Sequence, residues 1–397
     1  MNRILLAVAL VLGCRGEQKS RVKDDAAPSG AAVFVSAIPR LPESPDGVAE
    51  LHSIDVGITR RGGEPVGGEL INLLIGRAAI TQQVTDYAAA LARSEAWLAM
   101  YPTSPVPLKL RVMALSRVHR FADAKAVLAR LAPLDPEEAR DLAAMIDEAT
   151  GHPELATPVR EHTAKILVRP ETLTTLAANL ALRGKLDAAF ALIPKAVAAA
   201  HDNSPITFSW LYFQWGRLYE QAGQLAMARD LFAEAHRRMP GYLEAIVHLA
   251  QTMTATGQDP TTLLSEALRT NQHPELLALA GKTAEAKLGW ERYLTALPEA
   301  FSDHAARFYL GPGADPARAL VLATANLRNR ETTEARALAA EAALAAADPA
   351  EACRLVEPLL EPARGALRAQ QFVAWRALSA CGRKTDADRV AAGLGIR

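Results

Sequence analysis

From Glu69 onward, apolar residues recur every three or four positions, and the pattern breaks at Gly, Pro or a short polar turn roughly every 12 to 20 residues. That spacing places the apolar side chains on one stripe of an α-helix, and the breaks mark helix ends. The period-two alternation of strands is nearly absent. The pattern therefore predicts short amphipathic helices in succession, each with its neighbour forming a hairpin. Before Glu69 the chain is different. Ile4–Leu12 is an unbroken apolar run, and Arg15 to Gly47 is rich in Pro, Ser, Gly and mixed charge. Residues 14–68 read as a flexible tether, with Ala31–Ile38 as its one mostly apolar patch.

The clearest unit lies at Trp215–Pro240. Gly216, Tyr219, Gly223, Ala228, Phe232, Ala235 and Pro240 follow one another in a regular exchange of small and large residues. Two antiparallel helices approach closely only where side chains are small, which Gly216, Ala228 and Ala235 supply. Tyr212, Trp215, Tyr219 and Phe232 fill the space beside them, and Pro240 ends the second helix. This spacing resembles the tetratricopeptide repeat, a 34-residue helix–turn–helix unit that stacks into solenoids. The unit spans 209–242, with Tyr212 and Trp215 standing where the family carries Trp and Leu.

Other units keep part of the pattern. Leu173, Leu176, Ala177, Leu180, Gly184, Ala189 and Ala196 repeat it from Pro170, with Pro194 predicted to kink the second helix. Phe121, Ala124, Leu128 and Pro136 close a unit starting near Pro105, Tyr87 to Pro102 closes one starting near Ile71, and Ile246 to Gly257 opens another. The register is loosest over 139–169 and 260–315. One hairpin leaves its apolar faces open, so the units must stack. The resemblance implies an all-α fold, a right-handed α-α superhelix over residues 69–397.

Charge and cysteine content narrow the class. Lys plus Arg and Asp plus Glu are equal at 44 each in the 397 residues, with no basic stripe, which argues against a nucleic-acid partner. The nine apolar residues Ile4–Leu12 are too few to span a bilayer, which takes ~20, and fit the core of a signal peptide over residues 1–13. Val11-Leu12-Gly13-Cys14 resembles a bacterial lipobox, which implies acylation of Cys14 and a lipid-anchored protein of the cell envelope. Arg15, where some bacteria place an inner-membrane retention Asp, tilts the address weakly toward the outer membrane. In that oxidising compartment Cys353 and Cys381 could pair, although helix spacing does not set them clearly opposite each other.

No catalytic pattern stands out. The nine His residues show no metal-ligand spacing, and His236 and His248 fall in different repeats on exposed or inter-repeat faces, where structural or solvated roles are expected. Gly281-Lys282-Thr283 lacks the preceding glycine and strand of a phosphate loop and reads as a turn. No metal and no cofactor is expected. The surplus lies at Phe208–Tyr219, where six aromatics fall within twelve residues. Trp210, Phe213, Arg217 and Glu220 form a stripe separate from the packing positions. In the family this stripe lines the concave groove, which makes the four a candidate contact patch; the competing reading packs Trp210 and Phe213 on the preceding repeat. The sequence thus points to a non-catalytic scaffold holding a protein or peptide in the cell envelope, with polysaccharide binding or an enzyme site assembled from distant residues as alternatives.

Overall fold

The computed structural model describes residues 37–63, 67–201 and 204–396. The leader, Cys14 and the tether through residue 36 lie outside the described residues. Helix α1 (Gly47–Arg61) is followed by ten antiparallel pairs. Hairpins one to four are α2 (Gly68–Thr81) with α3 (Val84–Met100), α4 (Pro105–Arg117) with α5 (Phe121–Leu131), α6 (Pro136–Ala149) with α7 (Pro153–Ile166), and α8 (Pro170–Leu182) with the split pair α9 (Leu186–Phe190) and α10 (Ile193–Ala198). Hairpins five to seven are α11 (Pro205–Gln221) with α12 (Leu225–Arg238), α13 (Leu243–Ala255) with α14 (Thr261–Ala267), and α15 (Pro274–Leu279) with α16 (Thr283–Ala296). Hairpins eight to ten are α17 (Pro298–Leu310) with α18 (Pro316–Asn329), α19 (Thr333–Ala345) with α20 (Pro349–Val356), and α21 (Arg368–Ala380) with α22 (Lys384–Leu394). No strand occurs among the described residues.

Local chemistry explains the boundaries. Asp135, Asp315 and Asp348 each precede a proline at the first helical position and accept a hydrogen bond from the backbone three residues on, at Glu138, Arg318 and Glu351. The aspartate satisfies an orphan amide, and the proline costs nothing where no intrahelical bond is made. Hairpin turns after α11, α13 and α15 use left-handed glycines at Gly223, Gly257 and Gly281. Pro194 stands at the start of α10, and hairpin four's second helix is broken into two as its position predicts.

The repeat at 209–242 packs as its spacing requires. A Cβ on Gly216 would lie 2.5 Å from Phe232 Cε1, so only glycine lets α12 approach. Ser209 Oγ donates to the Ala235 carbonyl at 2.7 Å across the pair, and Trp215 Nε1 donates to Thr174 Oγ1 at 3.1 Å, tying hairpin five to hairpin four. The stretches where the sequence register loosens also form hairpins. The pairs α13–α14 and α15–α16 contain helices of seven and six residues, too short to show a helical period.

Part of the expected tether is folded. Residues 37–46 run extended and buried in part, and α1 packs against α2 and α11. Asp46 caps α1 by accepting from Val48 N at 2.8 Å, while Leu51, Ile54 and Ile58 give the helix an apolar face that joins the central core. One such stripe within a Pro- and Gly-rich context is too short to stand out from its surroundings.

The array winds on itself. The turn of hairpin one meets the loop after hairpin six, where Gln83 Nε2 donates to Asn271 Oδ1 at 2.6 Å and Asn271 Nδ2 donates to the Thr81 carbonyl at 2.8 Å. The turn of hairpin two touches both ends of hairpin eight, through His119 Nδ1 with the Glu299 carbonyl at 3.0 Å and Asn329 Nδ2 to the His119 carbonyl at 2.8 Å. At hairpin three, Arg330 Nε donates to the Ala149 carbonyl at 3.2 Å, and a Cβ on Gly151 would meet the Glu331 carbonyl oxygen at 2.5 Å. At hairpin four, a Cβ on Gly184 would lie 3.0 Å from the Gly365 Cα. The contacts advance together, each hairpin turn seated about five hairpins further along. Hairpins one to four thus form a first superhelical turn stacked edge to edge on the second.

Candidate interaction surfaces

The stripe expected to line an open groove lies in the interior. Trp210, Phe213, Arg217 and Glu220 are 5%, 1%, 4% and 7% exposed. The cause is physical: Phe213, Arg217 and Glu220 close against α13 and the turn before it, and Trp210 is buried in the same core. Phe213 packs on Phe232, Tyr242 and His248, with ring centroids 5.6, 5.2 and 5.4 Å away. Aromatic residues that would anchor a partner serve equally well to fill a contact between repeats.

Arg217 and Glu220 are spent on His248 of α13. Glu220 Oε1 lies 3.1 Å from His248 Nδ1, and Arg217 Nη1 lies 3.3 Å from His248 Nε2. A guanidinium only donates and a carboxylate only accepts, so the imidazole donates through Nδ1 and accepts through Nε2. This is the neutral tautomer, fixed by its two neighbours. His248 thus sits on an inter-repeat face, bonded to both neighbours, rather than on a solvated one.

The same inner face continues as a seam of charged pairs along α13, α15 and α17. Gln82 Nε2 and Tyr242 Oη both donate to Glu244, at 3.0 and 3.1 Å. Burial raises the Glu244 carboxyl from its ordinary value, against the opposing charge of Arg217. Next along, His304 Nδ1 stands 3.3 Å from Glu275 Oε2, and Arg330 Nη1 stands 3.5 Å from Asp303 Oδ2. Burial alone would raise both acids, but His304 outweighs it and holds Glu275 at about 2, while His304 and Arg330 together hold Asp303 lower still. His119 and His273 are held down at about 3 by burial, with Arg330 adding to the effect at His119 and Glu275 opposing it at His273. The pairs Glu220–His248 and Glu275–His304 join hairpins five to six and seven to eight and help set their register. Among the described residues no cluster of three or more His, Cys, Asp or Glu is arranged to hold a metal.

Cys353 of α20 and Cys381 at the end of α21 are joined as a disulfide, their Cα atoms 6.2 Å apart. The bond links hairpins nine and ten at the C-terminal end of the array. Helix spacing alone could not reveal this, because two short 3₁₀ turns at Glu357–Leu360 and Pro362–Arg364 reset the phase between the two helices.

The outer edges expose apolar side chains. In the second superhelical turn, the loops joining hairpins are covered by the first turn. The equivalent loops of the first turn have no such cover. Met100 and Tyr101 follow hairpin one at 55% and 51% exposure, and Ile166 and Val168 follow hairpin three at 67% and 62%. Val106 and Leu134 are exposed on the same side, and Arg130 Nη2 ties the neighbouring loops by donating to the Pro102 carbonyl at 2.8 Å. Sequence reading missed this edge because its residues are isolated apolar side chains at helix ends and in loops, spaced about a repeat apart. Only the fold aligns them.

Neither the family models nor the curated proteins include a match to this sequence. Among solved structures, the chain is similar to one in the crystal structure of the APC/C hetero-tetramer Cut9–Hcn1, at 13% identity and a TM-score of 0.43, over 81% of this chain and 64% of that one. The chain thus spans less than two thirds of that neighbour's length. It is also similar to the human IFIT1 dimer with PPP-AAAA, at 14% identity and a TM-score of 0.42 over 81% and 95% of the two chains. A third neighbour is yeast Tom70, at 14% identity and a TM-score of 0.34 over 86% and 97%.

Proposed function

We propose that the chain is a lipid-anchored, non-catalytic helical-repeat scaffold that binds a protein partner in the bacterial cell envelope. The observation that carries the reading is the uncovered first-turn edge, where Tyr101, Leu134, Ile166 and Val168 are all near half exposed or more. Apolar side chains aligned on one edge of a soluble surface are a feature of protein-binding faces. The inner face is consumed by its own ion pairs, so the partner meets an edge rather than a groove. Acylation at Cys14 supplies the address, and the leader pattern Val11-Leu12-Gly13-Cys14 supports it.

Crosslinking in the native envelope tests both parts. A Tyr101→Asp, Val168→Asp chain should lose its crosslinked protein while keeping its fold, and Cys14→Ala should move the protein from the membrane to the soluble fraction. Unchanged crosslinks in the first variant would remove the edge as the binding face. Membrane retention of the second would remove the anchor.

A further inference from the structure

The extended segment 37–46 is held by a clamp built from hairpin five. Tyr212 Oη accepts from Leu41 N at 3.0 Å and donates to the Pro39 carbonyl at 2.8 Å. Arg238 donates from Nη1 to the Pro42 carbonyl at 2.8 Å and from Nη2 to the Leu41 carbonyl at 3.4 Å. The guanidinium is fixed by Glu234 Oε1 at 2.8 Å from Nε, and it lies 5.2 Å from the ring centroids of both Phe208 and Tyr212. Its side chain is 1% exposed. A planar, always-charged fork locked between two rings is pre-organised to bind carbonyls.

The clamp matches proline chemistry. It bonds three carbonyls and one amide of the strap, and that amide belongs to Leu41. Pro39 and Pro42 have no N–H, and the clamp asks none of them. Leu41 is 6% exposed in the apolar seat, and Ile38 packs beside it, whereas Arg40 points out. Pro39 is also buried there, and Glu43 meets Arg237 Nη2 at 3.4 Å; the other contacts read backbone. The ligand so defined is an extended apolar-Pro-x-apolar-Pro segment, whose stiffness lowers the entropy lost on binding.

We propose that the Tyr212–Arg238 clamp is a binding site for proline-bracketed apolar segments of a partner protein, occupied in this structure by the chain's own residues 38–42. The site lies away from the first-turn edge and stands or falls independently of it. The strap is a covalently attached competitor, present at an effective concentration of order mM. A partner segment binds by displacing it, and displacement releases the tether from hairpin five.

The test uses the full chain and a labelled peptide of residues 37–46, AIPRLPESPD, followed by fluorescence anisotropy. The wild-type chain should bind it weakly, because the strap fills the seat. Leu41→Asp expels the strap and should tighten peptide binding at least about tenfold, since apparent affinity scales with the fraction of open sites. Adding Tyr212→Phe removes both hydroxyl bonds and should reverse most of that gain. A second variant with residues 38–42 replaced by Gly and Ser guards against misfolding of the Leu41→Asp chain, with helix content checked by circular dichroism. Equal peptide affinity in the wild-type and strap-released chains would overturn the proposal. Equal affinity with and without the Tyr212 hydroxyl would do the same. Dimers formed by exchanged straps, with no peptide binding, would assign the seat to a second copy instead.

Discussion

At the residue scale, the inner seam makes a prediction about acid. In the unfolded chain His119 and His273 titrate near pH ~6.5; folded, burial holds each at about 3. Below the unfolded value the unfolded chain binds protons that the folded chain refuses. Their contribution is therefore full above pH ~6.5 and is lost as pH falls toward 3. Glu275, held at about 2 by His304, adds a loss that begins only below the ordinary carboxylate range of ~4.3. Urea midpoints should thus decline from pH 7.5 to 5, above the ordinary carboxylate range of ~4.3, at up to ~1.4 kcal/mol per pH unit for each histidine. His119→Asn should flatten that decline. A midpoint constant from pH 7.5 to 5 in the wild type would contradict the burial of both imidazoles.

Single residues also mark where the sequence was readable. Gly216 and Phe232 announced a close helix pair, and the 2.5 Å approach a Cβ would suffer shows why. Gly216→Ala forces α12 away from α11 and should cost about 1–3 kcal/mol, the range for overpacking, read as a lower urea midpoint. Trp210, Phe213, Arg217 and Glu220 were equally visible, yet their role was not. The same side chains serve as an interface anchor or as inter-repeat packing, and what decides is how tightly the hairpins curve. That curvature depends on distant pairs such as Gln83 with Asn271, which no local pattern carries.

At the scale of elements, legibility followed length. Helices of 13 to 17 residues such as α8, α11 and α13 complete three or more turns and show their apolar stripe. Helices α14 and α15, with seven and six residues, complete fewer than two turns and leave the register ambiguous. Helix α1 was hidden differently, behind a Pro-rich strap that resembles a linker in composition. The disulfide belongs to this scale because it joins two elements. It closes a loop of 28 residues between α20 and α21, for which chain entropy predicts about 3.6 kcal/mol. Reduction, or the Cys353→Ala, Cys381→Ala double variant, should lower the melting temperature of the C-terminal hairpins while α11–α12 keeps its protection from hydrogen exchange. Protection lost throughout would show that the array unfolds as one unit.

At the scale of the whole molecule, the contacts between superhelical turns decide the shape, and glycines separate this from ordinary turn chemistry. Gly184 and Gly365 both have positive φ, and they face each other across the seam between hairpin four and the loop after hairpin nine. A Cβ on Gly365 would lie 2.4 Å from the Arg183 carbonyl carbon. Gly223 and Gly257 have φ of 78°, in the same left-handed region, but a Cβ on either meets nothing within 4 Å. Alanine at any of these positions costs about 1 kcal/mol in backbone strain. Only at the seam does it also collide with backbone that cannot yield without moving a whole turn of the array. Gly365→Ala should therefore part the two superhelical turns, raising the radius of gyration measured by X-ray scattering and lowering the melting temperature. Gly223→Ala should show a comparable strain cost with the radius unchanged. If both variants kept the wild-type radius and lost equal stability, the stacking of turns would not be what closes the molecule. The inner ion pairs would then have to hold that shape without the edge contacts.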